Sequence, residues 1–166
     1  MVVFLIGLAV LASWIIFSKK PKNKDMVYTD YKPQDIDLNA IQWQFYKLLK
    51  EHRRSLGLSE VAPEKMCTVL ALNRIKDMAH LTKDEFKEAG HKGFFTDAYQ
   101  GELLKNNFKL PGEILGRHYN SVTGMFRNYL ESEEHKDYIE NRNIRYVGVG
   151  VIAYDYKFYS CIIFAS

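Results

Sequence analysis

Only two cysteines, Cys67 and Cys161, occur in 166 residues. They are too few for the disulfide framework of a small secreted scaffold, and their spacing matches no zinc-ligand pattern. The plainest reading makes them buried thiols that pack as small apolar side chains. A bridge between them stays open if the domain sits in an oxidising space. Charge of one sign is scarce as well. The formal net charge is +3, of which +2 falls in residues 1–35 and +1 in 36–166. No basic stripe survives that division, which argues against a nucleic-acid partner. The chain also lacks internal repeats and low-complexity tracts. No glycine-rich loop leads from a strand into a helix, so there is no nucleotide fingerprint.

What is present begins with one long hydrophobic run, Val2 to Phe17. A helix over these sixteen residues rises about 24 Å, against a hydrocarbon core of about 30 Å. With Met1, Ser18 and snorkelling lysines included, it just spans a bilayer. A cleaved signal peptide would want a basic residue before the run and a small-x-small site after it, and neither is clear. No cysteine follows to carry a lipoprotein anchor. We therefore expect a transmembrane anchor over 1–18, a proline-broken, lysine-rich linker over 19–35 and one globular domain over 36–166. Lys19, Lys20, Lys22 and Lys24 follow the span and can meet anionic head groups. By the positive-inside rule they favour a cytoplasmic domain.

The whole chain is 47% hydrophobic and 14% aromatic, ample for a packed core. Leu38, Ile41, Phe45, Leu48 and Leu49 recur at helical spacing, with Gly57 as the residue just past the helix end. Pro63 suits the first turn of a second helix carrying Cys67, Ala71, Ile75 and Met78 on one face and running to about His80. Thr82-Lys83-Asp84-Glu85 forms a capping box that Leu81 and Phe86 staple. That short helix stops at Gly90, and another is expected from Asp97 to about Lys105. Ser121 caps a helix whose inner face is Val122, Phe126, Tyr129 and Leu130, and Ser132 opens one more short helix.

Toward the end the period changes. Ile144–Ala153 and Phe158–Phe164 are rich in Val, Ile, Tyr and Phe, with 154–157 turning between them, which predicts an antiparallel hairpin. A third short strand around Leu110–Leu115 completes an α+β fold. Gly148 and Gly150 inside the first hairpin strand suit close approach of a helix. Tyr154, Tyr156, Phe158 and Tyr159 crowd the hairpin tip; most are ordinary sheet residues, and an exposed subset would form a docking or lipid patch.

One ordered set of residues runs across the domain. A helix ending Asp77-Met78-Ala79 is followed by His91, by Gly112-Glu113-Ile114-Leu115, by Tyr129-x-x-Ser132-x-x-His135, and by Val147-Gly148-Val149-Gly150. This set resembles the CAP superfamily of cysteine-rich secretory, antigen 5 and pathogenesis-related proteins, in its shorter bacterial SCP-like form, and covers essentially all of 36–166. The resemblance implies an α-β-α sandwich with a small antiparallel sheet. It also implies a cleft holding two histidines and up to two acids, which in some members binds a divalent metal such as zinc. Carried over by position, those groups fall on His91, Glu113 and His135. Ser132 takes the place of the second acid of longer members. Ile114 stands where the family has Asn, Tyr129 where it has Trp, and Lys50 and Arg53 where it has an early Asn-x-x-Arg.

Two neutral imidazoles and a carboxylate can hold tetrahedral zinc with water in an open position. They can equally form a hydrogen-bonded network that orders loops. Glu131, Ser132 and His118 are expected to line the same cleft. Glu131, Glu133 and Glu134 are alternative replacements for the missing acid. His80 suits a helix C-terminus as an imidazolium, and His52, beside two arginines, is expected to be solvated. Ser132 is better explained as a helix cap than as a nucleophile. The expectation is a membrane-anchored, non-catalytic binding module at a cell or viral envelope, weakly extracytoplasmic by its family. Its ligand would be a lipid, a peptide or an envelope protein. A metal-dependent hydrolase and a structural subunit of a membrane-associated assembly are the alternatives.

Overall fold

The computed structural model describes residues 37–154 and 157–166, except the side chains of His118 and Tyr119. The expected anchor and linker lie outside the described residues. Among those described, no helix is long and apolar enough to cross a membrane. The described residues form six α-helices, one π-helical turn and a four-stranded sheet, a mixed α/β domain.

Helix α1, Leu38–Ser55, starts where the Asp37 carboxylate accepts from the Ala40 amide at 3.0 Å. It buries Ile41, Phe45 and Leu49 as their spacing predicts. It ends ahead of Gly57, whose φ of +67° suits a residue without Cβ. Arg53 is fully buried and donates to the carbonyls of Ser59, Ile139 and Asn141, tying this helix to the C-terminal end of the last one.

Pro63 does not open the second helix. It pairs in strand β1, Ala62–Pro63, with Val147. Helix α2, Lys65–Ala79, begins after Glu64, whose side chain accepts from the Cys67 amide at 3.0 Å. A proline has no N–H, so an edge strand of two residues accommodates it as easily as a helix start. Helix α3, Lys83–Ala89, has the expected capping box of Thr82 and Glu85. The helix expected from Asp97 is a π turn, Asp97–Gly101, running into a single turn, α4, Glu102–Lys105. Helices α5, Val122–Glu131, and α6, Glu133–Glu140, meet at Ser132, and Ser121 caps the first through its hydroxyl.

The sheet order is β1-β3-β4-β2, with β2 at Gly112–Tyr119, β3 at Tyr146–Tyr154 and β4 at Lys157–Ala165. β3 and β4 form the expected hairpin, and β2 runs antiparallel to β4 over a longer stretch than its sequence pattern suggested. The sheet is mixed rather than wholly antiparallel, because β1 joins β3 in parallel.

Period-two alternation sorts β4 between two cores. Phe158, Ile162 and Phe164 pack with α1, α5 and α6 residues, while Tyr159, Cys161, Ile163 and Ala165 pack with α2 residues. Helices therefore cover both faces. Phe158 and Tyr159 are buried core residues, so the expected aromatic patch at the hairpin tip reduces, among the described residues, to the half-exposed Tyr154. Cys67 and Cys161 are both buried and free. Burial raises both thiols above their usual range, Cys67 to about 12, so neither is poised to react.

Candidate functional site: a cleft at the open edge of the sheet

β2 sets the floor of the site. Its alternation sends Ile114 into the core shared with α1 and turns Glu113 to the opposite face, toward α2. There the carboxylate meets Arg74, a residue that the sequence reading passed over. Arg74 Nε donates to Glu113 Oε2 at 3.1 Å and to Oε1 at 3.4 Å, with the two side chains 6% and 1% exposed. Arg74 Nη2 also donates to the Gly90 carbonyl at 2.6 Å. Gly93 lies flush with the guanidinium, since a Cβ there would sit 2.8 Å from Nη1.

The Tyr99 ring covers the same guanidinium at 5.8 Å, and the Tyr99 hydroxyl donates to Asp77. Burial and the Asp77 carboxylate push the Tyr99 hydroxyl up to about 12, so it keeps its proton for that bond. One buried cation on α2 thus docks the loop that carries His91 against β2.

His91 Nδ1 approaches Glu113 Oε1 at 3.4 Å, a long hydrogen bond in the tautomer that carries its proton there. His135 stands in the first turn of α6. Its ring meets His91 edge-on at 6.3 Å and Tyr129 at 5.4 Å. The Tyr129 hydroxyl is 2.6 Å from Ser160 Oγ, so the tyrosine in the family's tryptophan place is fastened to β4. His135 Nδ1 is enclosed without a hydrogen-bond partner among the described residues.

The three expected residues therefore do line one cleft, of about 330 Å3. The rest of its lining is Phe95, Glu134, Asp137 and Tyr138. Ser132 and Glu131 are not part of it. Ser132 sits at the junction of α5 and α6, and Glu131 ends α5 exposed to solvent. Of the acids weighed as replacements, the one that reaches the cleft is Glu134. The side chain of His118 is outside the described set. His52, expected to be solvated, is half-buried, 2.9 Å from Glu140 and edge-on to Phe126. Tyr138 owes its place to Gly112, where a Cβ would fall 2.0 Å from the ring, and to stacking on Phe164.

A signal for Arg74 was available. It lies at helical spacing among Cys67, Ala71 and Met78, a charged residue inside an apolar stripe, and such a residue needs a buried partner.

Burial, and secondarily the neighbouring His91, holds the His135 imidazole below its ordinary value of 6.5. Glu134 pulls the other way without reversing this. The fold thus favours neutral His135, and its contribution is fully present above about 6.5, the unfolded value. As pH falls through that value and then through the lower folded one, the contribution is lost. Urea midpoints of the full chain should drop between neutral and mildly acidic pH, and the drop should shrink in His135→Gln. An unchanged drop would assign the effect to other groups.

The donor set fits a three-ligand metal centre poorly. Both Glu113 oxygens already accept from a buried guanidinium, and among the described residues no group of three His, Cys, Asp or Glu side chains is placed to hold a metal ion. The arrangement is suited instead to hydrogen bonding and shape recognition by two imidazoles and two aromatic rings at the mouth of an ordered pocket.

No family profile and no curated protein matches the chain in sequence. Solved structures do match in fold. A cysteine-rich secretory protein of Staphylococcus aureus superposes with a TM-score of 0.62 at 21% identity, over 82% of this chain and 41% of that one. An outer surface protein of Borrelia burgdorferi gives 0.57 at 19% identity, over 79% of this chain and 96% of that one. An extracellular SCP-domain protein of Bacillus anthracis gives 0.52 at 21%, over 79% and 44%. This chain thus spans less than half of the staphylococcal and anthrax proteins. The helices over both faces of the sheet give this chain the fold of these CAP/SCP-like structures.

Proposed function

We propose that this CAP/SCP-like domain is a non-catalytic binding module, held at a membrane by residues 1–18 and displayed on the extracytoplasmic side of a cell or viral envelope. The observation that carries the reading is the state of Glu113. It is the carboxylate at the floor of the cleft, and Arg74 occupies both of its oxygens. General-base work needs a carboxylate free to take a proton from water or substrate. Here it is spent on architecture, holding the His91 loop to β2. What the cleft offers is an ordered concave surface with an exposed Phe95 ring at 58% and the ring of Tyr138. The secretory, outer-surface and extracellular descriptions of the fold relatives support the extracytoplasmic placement.

Calorimetric titration of the full chain with zinc, in detergent, tests this against a metal-dependent hydrolase. The binding reading predicts no tight one-to-one site and no zinc-dependent hydrolysis of casein. Tight zinc binding lost in both His91→Ala and His135→Ala, together with such hydrolysis, would replace it with the enzyme. A chain recovered only in fixed stoichiometry with other envelope proteins, indifferent to both substitutions, would replace it with the structural subunit.

A further inference from the structure

We infer that the cleft receives the side chain of a lysine or arginine presented by a peptide segment of a partner protein, an inference that rests on the binding-module reading. The lining contains two carboxylates, Glu134 and Asp137, besides the Glu113 carboxylate that Arg74 already neutralises, and no lysine or arginine. Glu134 and Asp137 are three apart on α6, so they project from one face of the helix. An anion entering the cleft meets two like charges and no cation. A cation meets both carboxylates, although the chain as a whole carries a net charge of +3.

The aromatic lining adds to this preference. Phe95 is 58% exposed beside the fully buried Phe94, so its ring is presented outward rather than packed away. Tyr138 is held by its stack on Phe164, with centroids 6.3 Å apart and rings 10° from parallel. Such rings attract a cation through their quadrupoles and cover the apolar stem that carries it. A volume of about 330 Å3 has room for a long side chain. Lysine and arginine are the residues that combine an apolar stem of that length with a positive head.

The test uses full-length, isotopically labelled protein and three acetylated, amidated tripeptides that differ in the central residue: Ala-Lys-Ala, Ala-norleucine-Ala and Ala-Glu-Ala. Norleucine keeps the stem of lysine and removes its charge. Resonances of Phe95, His135 and Tyr138 are followed at low salt. The lysine peptide should bind about five- to tenfold more tightly than the norleucine peptide. That advantage should fall with added salt, and the glutamate peptide should bind most weakly. Glu134→Gln with Asp137→Asn should bring the lysine peptide down to the norleucine level and leave the norleucine affinity unchanged. Equal or tighter binding of norleucine or glutamate at the same resonances would overturn the charge preference and leave the binding module standing. No shift of those resonances with any peptide would overturn both.

Discussion

Arg74→Met is expected to destabilise the domain by about 3–5 kcal/mol, the usual consequence of removing one partner from a buried ion pair. The substitution keeps the apolar stem and removes the guanidinium, which leaves Glu113 with a side chain 1% exposed and only the long contact from His91. The Gly90 carbonyl loses its 2.6 Å donor at the same time. Urea unfolding of the full chain measures the loss, provided the slope of the transition is unchanged. A second variant separates the pair from simple packing damage. Arg74→Met with Glu113→Leu removes both charges and should recover most of the lost stability, because an apolar pair of similar shape can replace a buried ion pair at little cost. A single variant within about 1 kcal/mol of the parent, or a double variant no better than the single one, would mean that the ion pair does not hold the cleft together.

The second large effect is expected at Gly150→Ala. A Cβ at that position would lie 2.3 Å from the Ala71 carbonyl carbon and 2.5 Å from its oxygen. At Gly148 the corresponding atom would be 2.1 Å from the backbone carbon of Cys67. These neighbours are backbone of α2, so no rotamer change relieves them. The helix would have to lift from β3, and that opens the core containing Ile75, Cys161 and Ile163. The cost should therefore exceed the about 1–3 kcal/mol of ordinary overpacking. Adding Ala71→Gly should give no rescue, since the obstruction is not the alanine methyl. Thermal unfolding followed by circular dichroism would check both variants. A Gly150→Ala protein that melts within a few degrees of the parent would show that α2 has more room above the sheet than this packing allows.

The contrast between these two sites shows what could be read from the chain in advance. The glycines were legible, because glycine inside a strand of valines has few purposes and a close helix is the commonest. The same holds for the apolar face of α1, the Thr82 capping box, the Ser121 cap and the β3–β4 hairpin, each of which depends on residues near one another in sequence. Pro63 was misplaced because its parallel pairing with Val147 is a long-range contact, and a proline before a helical pattern has the same local signature either way. Of the tip aromatics, most were expected to be ordinary sheet residues, and Phe158 and Tyr159 are buried ones, but residue order does not say which stay exposed. Only the three-layer packing shows that both faces of β4 are covered.

The sequence by itself determined most of the helices and the last hairpin, and the family resemblance pointed to the grouping of His91, Glu113 and His135. Local periodicity and capping carry the helices and the hairpin, because they do not depend on how distant segments meet. The tertiary structure alone decided what those three residues touch. Arg74 and Glu113 come from α2 and β2, and their pairing depends on the helix packing against that face of the sheet. Phe95, Asp137 and Tyr138 reach the cleft only because Arg74 fixes one wall and Gly112 admits the Tyr138 ring at the other. The charge of a pocket and the partners of a buried carboxylate are properties of distances through space, and residue order does not encode them locally.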